Sequence, residues 1–245
     1  MSKKIQTPGF FIGALLWAFV GIFGMSAGET SDIDVQRLKS GYYVITFEEH
    51  YHAGVGESVL TLKGLEEGYF ARWEGIHDTT EVYLDTEFRT ERIMYTKEDT
   101  AITVKRRGEQ LHVSGIDEGD KVDKTLKINS EYWFQLLPVS LIPFISSDER
   151  KVKFSMFDPF EIKLRDMQIE KKKREHVTVF DVEYDTLKLS MRLRGILTPF
   201  WKSEMWCRTD SGFQVKYEGL NVVPKLHKSK ILLKRVEFKP LLPSS

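Results

Sequence analysis

Apolar and polar residues alternate with a period of two along most of the chain from Tyr42 onward. In residues 160–165, Phe, Ile and Leu alternate with Glu, Lys and Arg, and residues 187–194 repeat the pattern. Side chains of a strand point to opposite faces in turn, so each run predicts a strand with one apolar and one solvated face. Such strands are typical of antiparallel sheets, because strands of a parallel sheet are apolar on both faces.

Clusters of turn-forming residues separate these runs. They occupy residues 66–68, 107–109, 117–120, 183–186 and 210–212. Gly, Asp and Asn tolerate the backbone conformations that tight hairpins require. The spacing predicts roughly eleven strands. We therefore predict an all-β fold with minor α content, in which one antiparallel sheet curls into an incomplete barrel.

One segment departs from the alternation. Residues 131–147 are apolar on every side, and Pro138 and Pro143 exclude both a long helix and a central strand. We predict one or two short helical turns laid across the sheet. Three roles fit this composition: a plug that completes the core, a mobile lid over an apolar cavity, and a loop that docks on a partner or a membrane.

The first 28 residues have the layout of an export signal. They contain no acidic residue, and Lys3 and Lys4 precede an apolar stretch from Phe10 to Met25 and the small residues Ser26 to Gly28. We predict a signal peptide or signal anchor at 1–28, a linker at 29–40, a single β half-barrel domain at 41–240 and a tail at 241–245. A periplasmic or exported location follows, with cleavage favoured; residues 10–28 anchor the chain in the inner membrane if cleavage does not occur.

Charge and cysteine content narrow the function classes. The chain has 36 basic and 36 acidic residues, so no basic footprint for nucleic acid is present. Cys207 is the single cysteine. It cannot form an internal disulfide, and we expect a buried apolar residue there.

No catalytic or cofactor motif stands out. The best metal-like cluster is Glu48, His50 and His52, which share one face if residues 48–52 form a strand. Zinc requires three or four converging ligands, and no clear fourth residue is present. We therefore predict no metal, no cofactor and no catalytic residue, and a metal-dependent enzyme is the least favoured function.

The basic run Lys171, Lys172, Lys173 and Arg174 follows one predicted strand and precedes another. We expect it at a hairpin tip. A solvated turn is the simpler interpretation, and contact with anionic lipid head groups is the functional one.

The second half of the chain resembles a family of bacterial periplasmic β-rich domains of unknown function. The residues that carry the resemblance are 133–138 with Phe144, Phe157-Asp-Pro159, and the strand pair 202–219. The shape is similar to the lipoprotein carriers LolA and LolB, an incomplete barrel around a short helical lid. The resemblance implies a hydrophobic or lipid-like ligand, and it implies no catalytic residue.

These observations favour a non-catalytic cell-envelope domain that binds an apolar ligand in a half-barrel under the 131–146 segment. The alternative is a structural or interaction module of an envelope assembly with a protein partner. The predicted ligand-binding residues of the first hypothesis are Trp133, Phe134, Leu137, Leu141, Phe144, Trp201 and Trp206.

Overall fold

The computed structural model describes residues 33–51, 54–195, 201–221 and 227–241, without the side chains of 220, 221 and 227. The predicted signal or anchor segment, residues 1–28, lies outside this part of the chain. The described strands are β1 Gly41–Tyr51, β2 Gly54–Leu65, β3 Gly68–Glu74, β4 Thr79–Leu84, β5 Thr90–Lys97, β6 Thr100–Arg107, β7 Gln110–Asp117, β8 Asp120–Lys127, β9 Tyr132–Trp133, β10 Lys151–Asp158, β11 Lys163–Val179, β12 Val182–Leu193, β13 Lys202–Arg208, β14 Gln214–Asn221 and β15 His227–Pro240. Two short helices, α1 Leu137–Ser140 and α2 Ile142–Ser146, lie between β9 and β10, and a 3-10 helix, Val35–Lys39, precedes β1.

All fifteen described strands form one sheet, in the order β8-β7-β6-β5-β4-β3-β2-β1-β15-β14-β13-β12-β11-β10-β9. Every pairing is antiparallel except that of β9 with β10. The all-β prediction is confirmed, and the described residues alone contain more strands than the roughly eleven that turn spacing predicted. The difference arises at turns without glycine, such as Glu98-Asp99 between β5 and β6.

The sheet must curl, because its two edge strands follow each other in sequence. Only residues 128–131 separate β8 from β9. The Gln135 backbone N–H also donates to the Thr90 hydroxyl, at 3.1 Å. This bond connects the segment that follows edge strand β9 to β5, which lies in the other half of the sheet. The result is an open barrel with edges β8 and β9.

Two apolar clusters lie on opposite faces of the sheet. The first cluster draws buried residues from every described strand, β1 to β15, so the curl encloses it. The second cluster covers only the β10 to β14 region. On β13, Met205 and Cys207 belong to the second cluster, whereas Trp206 between them belongs to the first. The alternation expected of a strand thus separates the two faces.

The β11–β12 hairpin corrects two predictions. The turn is Phe180-Asp181, with Val179 opposite Val182, and residues 183–186 lie inside β12. The basic run 171–174 is therefore in the middle of the 17-residue strand β11, at a bulge, and the predicted hairpin tip is wrong. Phe180 and Asp181 both have positive φ, 47° and 65°, so a two-residue turn forms where the sequence has no glycine.

Candidate functional site

The covering segment, residues 134–147, lies on the second cluster and also reaches the first cluster, in which Val139 and Ile142 are buried. Phe134, Leu141, Phe144 and Ile145 from this segment are buried against apolar residues of β10 to β13. The predicted short helical turns are present as α1 and α2, each with a proline in its first turn and neither with a side-chain cap. Helices of four and five residues are not stable alone, so packing on the sheet holds them in place.

The sheet side of this site is a continuous apolar surface. Its buried members, from β10, β11, β12, β13 and β14, are Val152, Phe154, Met167, Ile169, Leu189, Met191, Leu193, Met205, Cys207 and Tyr217. We call this surface the covered face. Burial raises the pKa of the Cys207 thiol, which keeps it protonated and makes it a small apolar residue of the face, as the sequence predicted.

Polar contacts hold the covering segment at its two ends. At the first end, the Gln135 side chain donates to the Phe157 carbonyl at 3.2 Å and accepts from the Phe157 N–H at 3.1 Å. At the second end, the Lys171 ammonium donates to the Ser147 carbonyl. Between these ends, Val139, Leu141 and Ile145 donate their N–H groups within the segment. The middle of the segment therefore contacts the sheet through apolar side chains.

The structure divides the seven predicted ligand-binding residues between the two clusters. Phe134, Leu141, Phe144 and Trp201 belong to the second cluster, and Leu137 packs against it. Trp133 and Trp206 are buried in the first cluster. Two open depressions, of about 510 and 500 Å³, lie elsewhere, around Glu66 and Leu38, and none of the seven residues lines them.

Trp206 has its own set of partners. Its ring lies 4.7 Å from Lys188 Nζ and 4.4 Å from Lys216 Nζ, and its indole N–H donates to Glu175 at 2.6 Å. Two cation–π contacts and a charge-assisted hydrogen bond fix the ring in place. The sequence pattern could not show that Trp206 has these partners and does not line a cavity. The two lysines are on the neighbouring strands β12 and β14, far from Trp206 in sequence.

The basic run separates into two kinds of residue. Lys172 pairs with Glu170 at 2.8 Å and Lys173 pairs with Glu175 at 2.6 Å, while Arg174 is exposed. Lys171 instead lies over the Phe144 ring, with Nζ 4.8 Å from its centroid. Sequence reasoning placed Lys171 with the other three, and it missed Gln135. The predicted contact of the run with lipid head groups stays a prediction.

A group of acids and hydroxyls lies at one end of the barrel. Burial raises the pKa of Glu49 and of Asp78, and the charge of Asp78 adds to the rise at Glu49. The Tyr95 hydroxyl donates to Asp78 at 3.3 Å. Nearby, Arg165 binds Asp158 through two nitrogens, at 2.9 and 2.8 Å, and both side chains are largely buried. These contacts fix the loops at this end.

The proposed metal-like cluster is reduced to one pair. His50 Nε2 lies 2.7 Å from Glu48 Oε1, and His52 lies outside the described residues. Within the part of the chain that the structure describes, no group of three or more His, Cys, Asp or Glu residues could hold a metal ion. Over the same residues, no helix combines the length and the apolarity needed to cross a bilayer.

Comparison with known proteins identifies the fold. No family model and no curated protein matches the chain. The β-barrel-like protein of the domain of unknown function DUF1849 from Brucella abortus aligns over 82% of this chain and 98% of its own, with a TM-score of 0.57 and 10% identity. The hypothetical lipoprotein YmcC from Escherichia coli covers 84% of this chain and 88% of its own, with a TM-score of 0.36 and 8% identity.

A LolA superfamily protein, NE2245 from Nitrosomonas europaea, is also among the matched structures, with a TM-score of 0.20 and 8% identity over 86% of this chain and 96% of its own. Of these three structures, the Brucella abortus protein has a TM-score high enough to establish a common fold. It confirms the resemblance to bacterial β-rich domains of unknown function at the level of the fold. This chain has the barrel-like fold of such a domain.

Proposed function

We propose that the chain is a non-catalytic, exported envelope domain that binds an apolar, lipid-like ligand on the covered face. The observation that carries the proposal is the way the covering segment is held. Its polar contacts with the sheet are at Phe134 and Gln135 at one end and at Ser147 at the other, and apolar packing holds the residues between them. Such a segment is suited to lift from the sheet between two fixed ends.

Lifting the segment leaves few backbone groups unsatisfied. The described hydrogen bonds of α1 and α2 run within the segment, for example from Ile145 N–H to the Leu141 carbonyl at 2.9 Å. The cost of opening is therefore mainly the exposure of apolar surface, at about 25 cal/mol for each Å². An apolar ligand that takes the place of Leu141 and Phe144 on the covered face offsets that cost.

A second function is favoured by the packing of the closed segment. Val139 and Leu141 are 0% and 1% exposed, which is also expected of a plug that completes the core. In this case the chain is a structural or interaction module of an envelope assembly.

Residues 1–28 determine where the domain works under either function. Cleavage after this segment releases the domain, and retention of the segment anchors it to the membrane. The mass of the mature protein distinguishes cleavage from retention.

The test combines native mass spectrometry with binding of a neutral apolar dye, 1-aminoanthracene. We expect an apolar molecule in organic extracts of the natively purified protein and saturable dye binding after its removal. Gln135→Ala removes the two side-chain hydrogen bonds with Phe157 at one end and should raise dye affinity several-fold. Gln110→Ala, the same deletion at an exposed site on β7, should leave it unchanged.

Near-ultraviolet circular dichroism of Gln135→Ala separates an opened segment from a disordered core. An absence of extracted ligand, together with no dye binding by the wild type or by Gln135→Ala with a native spectrum, overturns the binding proposal. That result leaves the plug as the function of the segment.

A further inference from the structure

Lys171 places a positive charge at the margin of the covered face. It follows Met167 and Ile169 in the alternation of β11 and lies opposite Leu189, so it shares their face. Its ammonium group lies over the Phe144 ring and donates to the Ser147 carbonyl. The charge is thus under the C-terminal end of α2, where the covering segment leaves the sheet.

This charge has no direct ion-pair partner among the described residues. Among the described residues, no carboxylate lies within ion-pair distance of Lys171, whereas Lys172 and Lys173 each have a glutamate partner. Burial lowers the pKa of Lys171, and the charges of Asp148 and Glu149 oppose that change. Both acids are exposed, so solvent screens them. A partly desolvated ammonium paired only with a carbonyl and a ring favours an anionic partner.

We infer that the ligand of the covered face is an amphiphile with one apolar chain and an anionic head group, and that Lys171 binds the head group. This inference rests on the proposed function. The chain replaces Leu141 and Phe144 on the covered face, and the carboxylate or phosphate replaces the Ser147 carbonyl at Lys171 Nζ. Head-group binding therefore frees the second end of the covering segment.

Because the head group replaces the Ser147 carbonyl at Lys171, recognition of the head group and opening of the covering segment occur together. A neutral amphiphile offers the same apolar contact but leaves Lys171 with a partner no better than the carbonyl it already has. A cationic amphiphile places two like charges together. The expected order of affinity is anionic, then neutral, then cationic, with about a tenfold step between the first two.

The test measures binding of four decyl compounds to the purified full-length protein by calorimetry: decanoate, decyl phosphate, decanol and decyltrimethylammonium. Decanoate and decyl phosphate should each bind about tenfold more tightly than decanol, and comparing them shows which head group is preferred. Lys171→Met keeps an unbranched apolar side chain and removes the charge. It should abolish the preference, so that the two anions bind no more tightly than decanol. Because the change also removes the contact with the Ser147 carbonyl, decanol itself should bind at least as tightly as it does to the wild type.

Two further variants control for structural damage. Lys171→Arg keeps the charge and should retain the preference, and Lys172→Met, on the exposed side of the same strand, should leave all four affinities unchanged. Equal binding of decanoate, decyl phosphate and decanol by the wild type overturns the inference and leaves the proposed function standing. Binding of none of the four compounds overturns both.

Discussion

At the scale of single residues, two buried acids at one end of the barrel make a pH-dependent contribution to stability. Asp78 and Glu49 lie near His77, and burial raises the pKa of both carboxyls. A raised pKa means that the folded state binds the proton more tightly than the unfolded chain. The stability that these groups contribute is therefore present at low pH and lost as pH rises through their folded-state pKa.

The variant Asp78→Asn tests whether ionisation of this carboxyl lowers stability as pH rises. The amide cannot ionise, yet its oxygen can still accept the Tyr95 hydroxyl. We expect the difference in the free energy of unfolding, variant minus wild type, to be more positive at pH 7 than at pH 4. Urea unfolding at both pH values measures this difference. His77 and Lys97 stabilise the ionised acid and so reduce the difference. Asp99→Asn, at the exposed β5–β6 turn, is the control, and an effect on Asp78→Asn that is equal at both pH values would contradict the assignment.

At the scale of elements, the β11–β12 turn stores backbone strain. Phe180 and Asp181 have φ of 47° and 65°, a region that favours Gly and Asn, and Phe180 is 46% exposed, so its ring contributes little burial. Replacing the pair by Asn-Gly should raise the free energy of unfolding by about 1 kcal/mol. Urea unfolding measures the change.

The β7–β8 turn supplies the matched comparison. Glu118-Gly119 already has glycine at its second position, with φ of 89°. Glu118→Asn should therefore raise the free energy of unfolding by less than the double change at 180–181. Gly119→Ala should lower the free energy of unfolding by about 1 kcal/mol. A double variant at 180–181 that is no more stable than wild type would show that the turn is not strained.

These two turns also show what the sequence could predict. The turn at 117–120 is predicted because it contains Asp and Gly, which favour tight turns. The turn at 180–181 is not predicted, because the pairing of Val179 with Val182 imposes positive φ on a Phe and an Asp. The covering segment was predicted from two prolines and all-round apolarity. Its end contacts were not, because Gln135 binds Phe157 and Lys171 binds Ser147 across distances in sequence that no local pattern encodes.

At the scale of the whole molecule, the first and last long strands of the described chain meet in the middle of the sheet. β1 pairs with β2 on one side and with β15 on the other, and Ile45 lies opposite Val236. We call the β1–β15 pairing the seam. The seam joins the β1–β8 half of the sheet to the β9–β14 half through continuous hydrogen bonding. Since the pairing is so distant in sequence, neither half can complete the first cluster before β15 is in place.

Leu233→Ala tests whether the seam makes unfolding cooperative. Leu233 is 2% exposed in the first cluster, so the change should cost about 2–5 kcal/mol in the free energy of unfolding. Hydrogen exchange should accelerate by the same factor in peptides from β3 to β5 and from β11 to β13, because both halves lose their shared core when the seam opens. Lys234→Ala, the exposed neighbour on β15, should change exchange little in either half. Acceleration confined to β11 to β13 would instead mean that the β1–β8 half unfolds independently of the seam.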